Sequence, residues 1–304
     1  MGGGRWSSGD WSSYATSKVH GKSTEEVFSA KKLEKSLDPR GVTRESVDSK
    51  DNPKSTAIIV ALDVTGSMGI LLDTMAREGL NTLASEIYER KPITDPHIMF
   101  MGIGDVEMGD KYPLQITQFE ADIRIAEQIQ KIVLEKGGGG NSYESYALAW
   151  LFAVAHTKLD CFDKRSRKGY LFTVGDEEPT PYLRAEDIEK VLGDKSRQKM
   201  DCQALLTMAS RKYEVFHVMV EEGSHFKSAG DRVVSKWTEL LGQKALRLAN
   251  HRKLAEVIVS AIQVNEGVSK KKVIDSWKGD TSEVVKHAIK DLPKGAKPEA
   301  VTSL

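Results

Sequence analysis

The chain has 304 residues, 39% of them hydrophobic, with 44 Lys plus Arg against 44 Asp plus Glu. The zero net charge speaks against a nucleic-acid binder, which would need a basic excess or patch. No apolar run approaches the roughly 20 residues of a membrane helix, and the N-terminus lacks the apolar stretch of a secretory signal. With only two cysteines, Cys161 and Cys202, and no metal-type spacing between them, the expectation is a cytoplasmic protein with reduced thiols.

Residues 1–54 are rich in Ser, Gly, Lys and Asp and read as a polar N-terminal arm whose anchors, if it docks, are Trp6 and Trp11. Residues 55–264 read as one domain. Ala57–Leu62 is a continuous apolar, partly β-branched run, as expected of a strand buried on both faces. A helical pattern covers Leu71 to Glu89, and His97 to Ile103 is a second buried strand. A short strand is predicted over Leu114–Phe119 and a helix over Ile123–Leu134. The glycine run 137–140 then opens a helix carrying Tyr146 and Trp150. Further strands are predicted over Tyr170–Val174, Val215–Val220 and Ala245–Leu248. Helices lie between and after them, near Ala185–Leu192, Cys202–Ser210, Val233–Leu241 and Arg252–Ile262. This alternation predicts an α/β fold, a Rossmann-like open, mostly parallel six-stranded sheet flanked by helices. Residues 265–304 read as a Lys-rich C-terminal tail, mobile or partner-dependent, with one weak helix over Ser282–Ile289.

In such sheets ligands collect at the carboxyl ends of strands, where the strand order reverses. Three polar loops fall at such ends: Asp63-x-Thr65-x-Ser67, Gly137–Ser142, and the segment from Asp176. A carboxylate followed by two hydroxyls at alternate positions can converge on one hard cation, which Mg²⁺ takes in octahedral array at about 2.1 Å. Asp176, from a neighbouring strand end, could accept hydrogen bonds from metal-bound water. Two plainer readings compete: the three residues cap the next helix, or the glycine loop binds a phosphate. The second lacks the Lys-Ser/Thr of a P-loop. Asp105, Glu107 and Asp110 stand for a second cation site, for an acidic metal face, or for a solvated loop.

The segment Asp63-Val64-Thr65-Gly66-Ser67-Met68 resembles the metal-ion-dependent adhesion site of von Willebrand factor A domains. The glycine loop and the strand end at Asp176 resemble that family's other two loops, and the order of elements is similar from about Ser55 to Gln263. The resemblance implies that Asp63, Thr65 and Ser67 hold Mg²⁺ or Mn²⁺, with Ca²⁺ less suited, and that Asp176 stands beside them. The family's loop threonine aligns with Gly140. Asn141 stands in its place, with Ser142, Glu144 or a water as alternatives.

The resemblance further implies a non-enzymatic, metal-dependent protein-interaction module whose open coordination position takes an acidic side chain of a partner protein. Homo-oligomers, and a host-cell or virion setting if the chain is phage-encoded, are compatible with it. Two other functions are carried: an assembly protein docking through its terminal arms, and a two-metal hydrolase built from Asp63, Asp105, Glu144 and Asp176.

Overall fold

In the computed structural model, residues 3–135, 137, 140–195 and 198–295 are described, with Ser67 described in its backbone alone. The central sheet consists of β1 (Thr56–Asp63), β2 (Pro96–Ile103), β3 (Leu114–Ile116), β4 (Gly169–Gly175), β5 (Tyr213–Val220) and β6 (Ala245–Leu248). Their spatial order is β6-β5-β4-β1-β2-β3. All neighbours pair in parallel except β3, which runs antiparallel to β2 at the edge. The α/β class, the six strands and the mostly parallel order expected from the sequence are those of the structure.

Alternation along β1 explains why its apolar run is unbroken. Ile58, Val60 and Leu62 enter the core on one face, while Ala57, Ile59 and Ala61 enter the core on the other. On the second face lie helices Tyr146–Ala155, Cys202–Lys212 and Ser224–Leu241; on the first lie Leu80–Arg90 and Leu254–Asn265. Every residue from Leu254 to Val264 is buried, as expected of a helix enclosed on all sides. The long helical pattern predicted from Leu71 is present but interrupted by a π-helical segment, Met75–Gly79.

The N-terminal arm lies along the first face. Trp11 and Ala15 of helix Ser8–Lys18 are buried, as are Val19 just after it, Val27, Phe28 and Leu37. Trp6 Nε1 donates to Asn81 Oδ1 at 3.2 Å, and Tyr14 Oη donates to the Ala126 carbonyl at 2.8 Å. Residues Arg44–Ser46 add a short parallel pairing with Thr157–Leu159.

The expectation of a mobile tail does not hold between residues 265 and 295. Helices Lys270–Asp275 and Asp280–Ile289 bury Val273, Val284, Val285 and Ile289, Leu292 is buried just after them, and Trp277 Nε1 donates to Ser260 Oγ at 2.8 Å. The apolar positions are few and spaced for two short helices, so they carry little periodic signal against the lysines. Residues 296–304, with Met1 and Gly2, lie outside the described residues. Val285→Ala removes two methyl groups from this buried contact and is expected to cost about 2 kcal/mol by transfer and cavity terms. Urea denaturation measures it, and a cost near zero would show the helix to be dispensable.

Candidate functional site

The site lies where the strand order reverses. β1 sits between β2 and β4, so the chain proceeds outward from it in one direction through β2 and β3, and in the other through β4, β5 and β6. Asp63 ends β1 and Asp176 follows the last residue of β4, which places their loops side by side at the carboxyl edge.

Asp63 is fully buried. Its Oδ1 accepts the Thr65 backbone N–H at 2.8 Å and the Thr65 hydroxyl at 2.7 Å. The aspartate therefore turns its own loop and caps no helix. The helical turns at Gly66–Met68 and Gly69–Thr74 begin without a side-chain cap from Thr65 or Met68, so neither Asp63 nor Thr65 acts as a helix cap. Gly66, at φ +39°, donates its N–H to the Gly137 carbonyl at 2.9 Å and so joins the first loop to the glycine loop. The Ser67 hydroxyl and the Gly138–Gly139 part of that loop lie outside the described residues.

Past the glycine run, Asn141 turns its amide to Asp105, donating Nδ2–H to Oδ2, while Ser142 Oγ accepts from Arg232 Nη2 at 3.1 Å. Glu144 takes the direction the sequence left open. It is 1% exposed, its Oε1 lies 3.1 Å from Thr65 Oγ1, and its Oε2 is buried without a partner. Its backbone is fixed by the parallel bridge of Tyr143–Glu144 with Glu178–Pro179 and by Thr180 Oγ1, which donates to the Glu144 carbonyl.

Asp176 is buried and directs Oδ2 to the first turn of helix Ser224–Leu241, accepting the N–H of His225 at 2.8 Å and of Phe226 at 3.4 Å. Gly223 makes this possible, because a Cβ there would lie 2.2 Å from Asp176 Oδ2. Asp105 and Asp110, expected in a solvated loop or a second cation site, are instead buried acceptors of their own turn. Asp110 Oδ2 takes the Asp105 N–H at 2.8 Å, and Asp105 Oδ1 takes the Glu107 N–H at 2.8 Å.

Two further residues were not singled out for the site. Tyr146, expected to pack a helix face, does so, but its hydroxyl reaches to 3.5 Å from Asp63 Oδ2. Glu177 is half-buried with an unpartnered Oε2, while its carbonyl accepts Trp237 Nε1 at 2.8 Å. Glu177 is marked in the sequence by its place next to Asp176, whereas only proximity in three dimensions brings the Tyr146 hydroxyl to Asp63.

The electrostatics follow from this crowding. Burial, followed by repulsion from Asp176 and Glu177, holds the Asp63 carboxyl well above its ordinary range, against the hydrogen bonds from Thr65 that lower it. Burial and then the charges of Asp63, Glu177 and Asp105 push Glu144 up to about 11. Glu177 is pushed up to about 7, chiefly by burial and then by Asp176. Among the described residues no Lys or Arg pairs with Asp63, Asp105, Glu144, Asp176 or Glu177. Nor does any group of three or more His, Cys, Asp or Glu form a ligand set on its own. A site that mixes carboxylates with hydroxyls is consistent with both statements. Its all-oxygen donors and unpartnered buried oxygen fit a hard divalent cation.

No protein-family model matches the chain, and no curated protein is significantly similar to it in sequence. Among solved structures, the pilus adhesin SpaC from Lactobacillus rhamnosus GG, in its open conformation, is similar at 11% identity and a TM-score of 0.46, over 76% of this chain. The chain spans only 33% of that adhesin's length. A von Willebrand factor type A protein from Catenulispora acidiphila is similar at 14% identity and a TM-score of 0.38, covering 70% of this chain and 43% of its own. Likenesses at this level carry no weight for the site, which is read from its own geometry. Among the described residues no helix is long and apolar enough to cross a membrane.

Proposed function

We propose that the chain is a metal-dependent protein-interaction module of the von Willebrand A kind, without catalytic activity of its own. One divalent cation, Mg²⁺ or Mn²⁺, is held by Asp63, Thr65 and Ser67, with Asp176 close by, and an acidic side chain of a partner protein completes its coordination. The observation that carries this reading is the cluster of acidic side chains at the switch point with no described cationic side chain to offset it. Buried carboxylates without a counter-charge are costly, and a cation in their midst removes that cost. The surroundings also favour a protein partner. Among the described residues, two exposed large hydrophobics border the site: Ile70, in the helix that follows the first loop, and Met108, in the loop after β2. Met108 lies against Gly140, where a Cβ would come within 2.5 Å of its Cε. An apolar border around a charged centre suits a protein surface better than a small solute.

The test is a thermal melt after EDTA treatment and again with added Mg²⁺ or Mn²⁺, on the full chain and on Asp63→Ala. Ligand at 100 times its dissociation constant should add about 2.7 kcal/mol to the parent protein and nothing to the variant. Equal responses in both proteins, or none in the parent, would remove the site.

A further inference from the structure

We infer that Glu144 is the protein ligand standing where the resembled family's loop offers threonine, so that the cation is held between Asp63, Thr65 and Glu144. The inference rests on the cation reading above and settles a position that the sequence left open among Asn141, Ser142, Glu144 and water.

Elimination gives the first argument. Asn141 donates its amide to Asp105, and Ser142 is engaged by Arg232, so each faces a partner away from Thr65. Gly140 has no side chain to offer. Among the described residues of this loop, Glu144 alone reaches Thr65, with which it makes a contact of 3.1 Å.

Hydrogen counting gives the second. The Thr65 hydroxyl lies 2.7 Å from Asp63 Oδ1 and 3.1 Å from Glu144 Oε1, yet it carries a single hydrogen. It can donate to one carboxylate only. Without a cation the other must carry a proton of its own, and Glu144 Oε2 is buried with no partner at all. A cation between the three oxygens accepts lone pairs from all of them and needs no hydrogen.

Rigidity gives the third. The Glu144 backbone is bound on one side by the bridge to Glu178–Pro179. On the other, Ser145 Oγ accepts the Val106 N–H at 3.0 Å, and the Ser145 carbonyl accepts the Leu148 N–H as the next helix begins. The side chain is thus presented from an anchored segment rather than a free loop, which is how an effective ligand is held.

The centre then differs in charge from one with a single carboxylate. Asp63 and Glu144 together balance a divalent cation, so less net attraction remains for an incoming anion. This chain would accordingly rely more on the apolar border at Ile70 and Met108 to hold its partner.

Isothermal titration of Mn²⁺ into the EDTA-stripped full chain at constant pH separates the possibilities. Glu144→Gln is expected to weaken Mn²⁺ at least tenfold, Asp63→Asn to abolish binding, and Glu144→Asp to retain part of it. Because Glu144→Gln keeps the shape and replaces a buried carboxyl that is protonated when no cation is bound, its metal-free melting midpoint should stay close to that of the parent. A lower Mn²⁺ affinity with an intact fold is therefore a ligand effect. If Glu144→Gln binds Mn²⁺ like the parent while Asp63→Asn loses it, the role of Glu144 is overturned and the cation site stands. If the parent takes up no Mn²⁺, both are overturned.

Discussion

Gly175→Val should destabilise the protein by about 3 kcal/mol or more, at the top of the range for overpacking a core. Gly175 ends β4 and is paired with Met219 across β5. A Cβ at this position would lie 1.9 Å from the Tyr146 hydroxyl, 2.8 Å from its Cζ and 3.0 Å from Cε1. The ring has nowhere to go. Tyr146 is fully buried, with edge contacts to His217 at 5.0 Å and Trp237 at 5.5 Å between centroids, and those two rings stack on each other at 3.5 Å. The nearest clashing atom is the hydroxyl oxygen, so Tyr146→Phe should recover part of the loss caused by Gly175→Ala. The coupling is read from a double-mutant cycle in urea. A cost below about 1 kcal/mol for the valine, or no coupling to Tyr146, would mean that the ring does not sit behind Asp63.

The sheet was readable because its strands are buried on both faces. Runs such as Ala57–Leu62 and Val215–Val220 have no polar alternation to confuse with helix, and β6 fell at Ala245–Leu248 as predicted. The first loop was equally legible, because Asp63 and Thr65 interact at a separation of two residues. What the sequence could not give was any pairing across the chain. Glu144 meets Thr65 from 79 residues away, and Tyr146 reaches Asp63 across 83. The short strand at Tyr143–Glu144 exists only because Glu178–Pro179 lies beside it, and two residues are too few for a periodic signal. The helix at Ser8–Lys18 hid for a related reason. It carries Ser or Gly at five of its eleven positions and buries only Trp11 and Ala15, so its stability comes from the surface it covers rather than from its own propensity. Asp176 shows the converse: its position was legible, but its engagement with the helix at His225 and Phe226 depends on Gly223, 47 residues on.

His97 gives the protein a pH dependence that can be isolated from the acidic site. It lies on β2, fully buried, with Nδ1 3.1 Å from Ser46 Oγ and Nε2 without a partner. Burial lowers its pKa from 6.5 to about 4, against Asp95, Asp48 and Asp160, whose charges act in the opposite direction. The unfolded chain therefore binds a proton that the folded protein refuses. Stability is at its full value above pH 6.5 and declines as the pH falls from there towards 4. The gap, at 1.36 kcal/mol per pH unit, is worth about 3 kcal/mol. Buried His217, whose pKa is also driven down by burial, acts in the same sense, while the raised carboxyls of Glu144 and Glu177 act in the opposite one. Comparison with His97→Asn cancels these contributions, since both proteins retain them. Denaturation free energies measured at pH 7.5 and pH 4.5 should thus show the parent losing roughly 2–3 kcal/mol more than the variant over that interval. Parallel losses in the two proteins would mean that His97 takes up its proton in the folded state, with water or a neighbouring carboxylate reaching Nε2.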